Sequence, residues 1–177
     1  IKCLLCSPPS LDAFLSSSFQ QWLTPEQRQI SEQIVQRGNH LEMGVLSWCL
    51  QNVVPLNQAT GDWVVLTYEQ LVLQPEPVID HLARRLELPK PEWMLARLNQ
   101  PSASSRKSDR ETQKLLIEGQ SNERRMVVRK WRKKVDAQAG TAAMDILSLF
   151  GIDVYSFGED LPTDRFWLKD GQCVQTQ

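Results

Sequence analysis

The hexapeptide Trp63-Val64-Val65-Leu66-Thr67-Tyr68 constrains the fold more than any other segment of the sequence. A nearly continuous apolar run of this length marks a strand covered on both faces in an α/β sheet. Residues 1–6, Ile-Lys-Cys-Leu-Leu-Cys, read as a second buried strand, and Ile152-Asp153-Val154-Tyr155 as a short extended element. A parallel sheet needs several strands with helices on both faces, and the rest of the chain carries helical spacing. The expected fold is therefore α/β, a partial three-layer α/β/α arrangement around a parallel sheet. Its excess of helix implies that strand-bearing residues precede Ile1. The start agrees with that expectation, since it has no Met and no signal-peptide pattern.

The helical stretches are bounded by familiar punctuation. Ser10 is placed to cap a helix over 11–23. Thr24-Pro25-Glu26-Gln27 supplies an N-cap, a proline in the first turn and a capping-box glutamine, and Gly38 should stop the helix that follows. Leu41, Val45, Trp48, Cys49 and Asn52 repeat at helical spacing over 40–54, with a loop expected from Pro55 to Gly61. Val78, Ile79, Leu82 and Leu86 predict a helix over 75–88, closed by Pro89. A short helix is expected over 91–99 around Trp93, Met94 and Leu98, and a polar loop over 100–108. Further helices are expected over 109–118, 123–137 and 141–150, the last ending at Gly151. From Glu159 on, the pattern is that of a loop or a surface strand.

Composition narrows the class. With 177 residues, 41% hydrophobic and 23% charged, the chain has the size and make-up of a globular domain and not of a disordered or collagen-like one. No apolar run approaches the roughly 20 residues of a membrane-spanning helix. The net charge of −1 conceals a split. Residues 1–100 carry 7 basic and 10 acidic groups, residues 101–134 carry 11 and 4, and residues 135–177 carry 2 and 7.

The chemistry-bearing side chains are few. Cys3 and Cys6 have C-x-x-C spacing but lie within an apolar run, and no second Cys/His pair stands at zinc-like spacing, so no metal is expected. Free thiols fit a reducing, cytoplasmic setting. His81 falls inside a helix pattern and reads as structural. His40, at a helix start after Gly38-Asn39, is the better catalytic candidate of the two histidines.

Four blocks then carry a resemblance. Residues 64–75, Val-Val-Leu-Thr-Tyr-Glu-Gln-Leu-Val-Leu-Gln-Pro, resemble the "strand, Tyr-Glu-Asp-Leu, two or three residues, Pro" block of the sulfotransferase family. Arg85-Leu86-Glu87-Leu88-Pro89 looks like that family's helix ending Leu-Gly-Leu-Pro. Ser104-Ser105-Arg106-Lys107-Ser108 is similar to its serine- and basic-rich loop. Trp131-Arg132, followed by Ile146-Leu147-Ser148-Leu149-Phe150-Gly151 and Tyr155, looks like its closing "Trp-Arg, helix ending Phe-Gly, Tyr". The resemblance implies a P-loop-type nucleotide-binding fold over 1–158, with 159–177 a C-terminal tail. It implies transfer of a sulfuryl group from 3′-phosphoadenosine 5′-phosphosulfate, as cosubstrate, to a hydroxyl or amine of a small-molecule, glycan or lipid acceptor. Tyr68 matches the tyrosine near the adenine. Arg106 and Lys107 match the loop on the 3′-phosphate, where Ser104 and Ser105 are placed to add hydroxyl donors.

The departures are specific. Where the family has Arg-x-Pro before its first helix here, this chain has Cys6 or Ser7, depending on which of Pro8 and Pro9 is aligned. No phosphate-binding loop of the Gly-x-x-x-x-Gly-Lys kind occurs. The chain as given is expected to lack the catalytic centre. The alternative is a non-catalytic binding or assembly module with a degraded nucleotide site. A helical regulatory domain, unrelated to either, would have no central parallel sheet.

The basic island remains. Arg124, Arg125, Arg129, Lys130, Arg132, Lys133 and Lys134 place seven cations in eleven residues. One reading is a solvated helix with Val128, Trp131 and Val135 turned inward. The other is an attraction site for an anionic substrate, nucleotide, glycan or lipid headgroup. A pI of about 6.2 and the lack of a recognition motif disfavour nucleic acid. The acidic residues after 135 are placed to neutralise part of the island.

Overall fold

Thr24 begins the first helix by the means its sequence announces. In the computed structural model, which describes residues 21–59, 63–98 and 121–166, helix α1 runs Pro25–Arg37. The Thr24 hydroxyl accepts the Gln27 N–H at 3.2 Å, and the Gln27 side chain accepts the Thr24 N–H at 3.0 Å. Gly38 ends α1 in the left-handed conformation, φ 70°, and its N–H donates to the carbonyls of Ile34 and Val35.

Helix α2, His40–Gln58, starts under Asn39, whose side-chain oxygen accepts the N–H groups of Leu41 and Glu42. It buries Leu46, Cys49, Leu50 and Val53, an i, i+3, i+4, i+7 stripe. The helix passes through Pro55 to Gln58, and the loop expected from Pro55 begins later. Proline removes the N–H that would bond the Gln51 carbonyl. The stripe is anchored on the N-terminal side of that gap, so packing holds the helix across it.

The last long helix, Ala137–Leu149, is labelled α7 after the helices of the second unit. Asp136, extended at φ −75° and ψ 171°, accepts the Ala139 N–H at 2.8 Å and starts it. Its end is a full Schellman motif: Gly151 sits at φ 65°, its N–H donates to Ser148, and the Ile152 N–H donates to Leu147. Leu147 and Ile152 are both buried. The Gln27 amide of α1 donates to the carbonyl of Leu149, occupying another terminal acceptor of α7.

The chain divides into two units, Ile1–Gln58 with Val135–Phe157, and Ala59–Lys134 with Gly158–Gln177. In the first, α2 packs on both α1 and α7. Its core holds Ile34, Leu46, Cys49, Leu50, Ile146, Leu147, Phe150 and Val154. Residues 152–155 are irregular, and Tyr155 meets Trp48 with ring centroids 6.0 Å apart.

The second unit overturns the sheet. No described residue is in a strand, so the expected parallel α/β/α layer is absent among them. Residues 63–67 form no ladder, and the helix α3, Tyr68–Leu73, takes the end of the expected strand. Trp63 is 52% and Leu66 39% exposed, so the run is not covered on both faces. A strand acquires its stability from a paired neighbour and a buried face, and among the described residues this run has neither. Thr67, read as a strand residue, is the cap of α3: its hydroxyl accepts the Gln70 N–H at 3.3 Å.

Helix α4, Pro75–Arg85, follows after Gln74 and packs on α3 and on α5, Pro91–Leu98. It buries Val78, Ile79 and His81. It ends earlier than the spacing predicted, in another Schellman turn: the Leu88 N–H donates to Ala83, with Glu87 at φ 49°. Helix α6, Ser121–Val128, packs on α3 and passes into a 3₁₀ segment, Arg129–Lys134. The single helix expected over 123–137 is thus broken at residues 135–136, because Asp136 caps a new one. Residues 158–166 follow as loop with a 3₁₀ turn, Asp164–Phe166. The expected strand over 1–6 and the helices over 11–23 (apart from its last residues) and 109–118 lie outside the described residues.

Glu87 and Lys90 are the described non-glycine residues at positive φ, and Glu87 is the one that ends a helix. A side chain in the left-handed region costs about 1–2 kcal/mol relative to glycine, offset in part by the extra chain entropy that glycine brings to the unfolded state. Glu87→Gly is expected to stabilise the protein by about 0.5–1 kcal/mol, seen as a raised midpoint in thermal melts. An unchanged or lowered midpoint would contradict this account of the turn.

Candidate functional site

Tyr68 stands at the first position of α3, held there by the Thr67 cap and by the Leu71 N–H bonded to the Thr67 carbonyl at 3.1 Å. It is 57% exposed, so it is not the core aromatic that an apolar run suggests. Partial burial, and then the neighbouring Glu69 carboxylate, push its hydroxyl above the ordinary phenol range and keep it protonated. Its exposed ring offers a face to a planar ligand and its hydroxyl a donor. The side chain buried beneath this turn is Gln70, fully enclosed.

The other residues assigned to the nucleotide, Ser104, Ser105, Arg106 and Lys107, lie outside the described residues. His40 is exposed at the first position of α2. His81 is buried on α4, in keeping with a structural role. Among the described residues no group of three or more His, Cys, Asp or Glu side chains is gathered as a metal site. Nor is any described helix long and apolar enough to cross a membrane.

Cys49 is a reduced, fully buried thiol on α2. Burial pushes its pKa from the ordinary 9.0 to about 12, against a smaller opposing effect of a backbone hydrogen bond. It is a packing residue, not a nucleophile. Cys3, Cys6 and Cys173 lie outside the described residues.

The basic island resolves into two populations. Val128 is buried, whereas Trp131 and Val135, read as turned inward with it, are only half-buried. Arg129 and Arg132, however, converge on Asp160, an acceptor that helical spacing cannot reveal because it lies 31 residues from Arg129. The Arg129 Nε–H is shared between Asp160 Oδ1 at 2.8 Å and Oδ2 at 2.9 Å, and Nη2 reaches Oδ2 at 2.6 Å. Arg132 Nη2 lies 3.1 Å from Oδ1 and donates to the carbonyls of Gly158 at 3.0 Å and Glu159 at 2.9 Å. The Asp160 side chain is 8% exposed. The Arg129 hydrogen bond above all holds its carboxyl below the usual 3.8. The neutralisation by late acidic residues is therefore real and local. Its one sequence signal is the placement of Glu159-Asp160 after a net-basic stretch.

Sequence reasoning also missed an exposed aromatic. Trp93, one of the apolar residues on which the short helix is read, is 64% exposed, with the Lys90 ammonium 4.4 Å from its ring centroid.

No protein-family profile matches the chain, and no curated protein or solved structure matches it significantly.

The Cys49 environment gives a direct test. In the native protein at pH 8, mass mapping after thiol alkylation should find Cys49 unmodified, with modification appearing only in denaturant. The same thiol makes stability fall with alkali. Because its folded pKa is raised, the unfolded chain releases the proton first, so this contribution is intact below about pH 9 and is lost as pH climbs towards 12. Replacing Cys49 by alanine should remove that part of the alkaline slope.

Proposed function

We propose that this chain is the nucleotide-contacting, carboxy-terminal part of a sulfuryl-transfer protein, acting in a reducing cytoplasm on a hydroxyl or amine acceptor. The observation that carries the proposal is the turn at Glu87. The family block that Leu86-Glu87-Leu88-Pro89 resembles has glycine at the position of Glu87, and here that residue adopts the left-handed φ of 49° that glycine favours. Phe150-Gly151, the second glycine turn of the resemblance, closes α7 with the same hydrogen-bond pattern. Two motifs thus agree with the backbone geometry their residue types serve. The proposal draws on no sheet.

In this reading Tyr68 lays its exposed ring against the adenine. Ser104, Ser105, Arg106 and Lys107 surround the 3′-phosphate with hydroxyl donors and cations. The sulfuryl group leaves 3′-phosphoadenosine 5′-phosphate and bonds to the acceptor oxygen or nitrogen, which gives up its proton. Transfer of this kind depends on alignment and charge stabilisation, so side chains that only bind contribute to rate. The chain is assigned nucleotide binding here and not the proton-accepting base.

The competing reading is a binding or assembly module without nucleotide. It is favoured by the lack of strands among the described residues and by Cys6 or Ser7 in place of the family's arginine. Calorimetric titration with 3′-phosphoadenosine 5′-phosphate separates the two. Sulfuryl transfer predicts micromolar binding, weakened about tenfold by Tyr68→Ala, as expected for one lost base–aromatic stack, and further by Arg106→Ala or Lys107→Ala. Absence of heat in the unaltered chain would reject it in favour of the module.

A further inference from the structure

Two arginines on one carboxylate are more than a clasp requires. Arg129 presents its Nε–H and Nη2 to both oxygens of Asp160 at 2.6 to 2.9 Å, and Arg132 Nη2 stands 3.1 Å from Oδ1 as an ion pair. Such a converging set of guanidinium donors is the arrangement that recognises phosphate and sulfate groups. The carboxylate carries one negative charge against two guanidinium cations, and Glu159 adds only a weaker opposite charge near Arg129. Arg125, Lys133 and Lys134, exposed on the same stretch, add to the positive field. Arg132 Nη2 also donates to the carbonyls of Gly158 and Glu159, so the whole 158–160 strap, and not the Asp160 carboxylate alone, sits on the two arginines.

We propose that Arg129 and Arg132 form a binding fork for a phosphate- or sulfate-bearing ligand, and that Asp160 occupies the fork as an internal surrogate which the ligand displaces. The inference does not rest on the nucleotide contacts assigned to Tyr68 and residues 104–107. A tethered carboxylate competes at an effective concentration in the millimolar range. The fork therefore rejects weak monoanions and selects ligands with several phosphate or sulfate groups, whose added charge engages the flanking cations. Displacement frees residues 158–160 from the 3₁₀ segment, so occupancy of the fork and the position of this strap are coupled.

The test uses the full chain and inorganic anions. In the unaltered protein, NMR titration with phosphate, and separately with sulfate, should shift the Arg129 and Arg132 Nε–H resonances saturably. Sodium chloride at matched ionic strength should not. In Asp160→Asn, phosphate affinity by calorimetry should rise about tenfold, as expected when one charge-assisted competitor is removed. Adding Arg132→Ala should abolish the gain. The two anion arms show whether the fork prefers phosphate or sulfate. An Asp160→Asn protein that binds neither anion more tightly than the unaltered chain would make the contact a structural ion pair and overturn the proposal. If that variant does not fold, the titration of the unaltered protein decides: arginine signals that respond to phosphate and sulfate only as they do to chloride would overturn it equally.

Discussion

Helices this short need their ends satisfied, and the left-handed residue after the last turn is what the architecture leans on. Gly38, Glu87 and Gly151 each turn the chain out of a helix at positive φ. In each case N–H groups at or just beyond the turn bond back to carbonyls that would otherwise lack partners. The helix starts obey the same economy through Thr24, Asn39, Thr67 and Asp136, whose side-chain oxygens take up the first free N–H groups. Once both ends are closed, what remains exposed to chance is the lateral packing. The i, i+3, i+4, i+7 stripe on α2 settles that within its unit by lying against α1 and α7.

The second unit shows the opposite balance. Its apolar content is less completely enclosed, with Trp63, Leu66, Tyr68, Leu86, Trp93 and Met126 all exposed. Polar contacts define its far end, where the two arginines draw residues 158–160 onto the 3₁₀ segment. Asp160 shows why an ion pair here is more than surface decoration: its carboxylate is nearly enclosed, and two guanidinium groups meet its oxygens. Exposed pairs with a single contact contribute little. A converging one fixes geometry, and fixed geometry is what recognition of an anion needs.

The proposed function draws its support from local conformation at Glu87. A family pattern is ordinarily a string of residue types. Here one of its letters, glycine, corresponds to a measurable dihedral angle at a residue that is not glycine. The expected sheet has no such support, since residues 63–67 form no ladder and lead into a helix cap, and residues 152–155 are irregular.

The sequence by itself determined the punctuation. The capping box at Thr24 and Gln27, the stops at Gly38 and Gly151, the proline at the start of α4 and the buried pair Val78 and Ile79 were all legible, because each acts over one helical turn. The burial of Val128 was legible for the same reason. Tertiary structure alone decided the rest. Residues 63–67 have strand chemistry, but a strand exists only when another chain segment supplies its hydrogen bonds. Pro55 reads as a stop, and packing of the stripe it follows carries the helix past it. Trp93 is among the apolar residues on which the short helix is read, yet α5 leaves it in solvent. The partner of Arg129 and Arg132 lies some thirty residues onward, beyond any periodicity. Local signals fix ends and spacing. Which surfaces meet, and which charges find each other, depends on contacts that no window of the sequence contains.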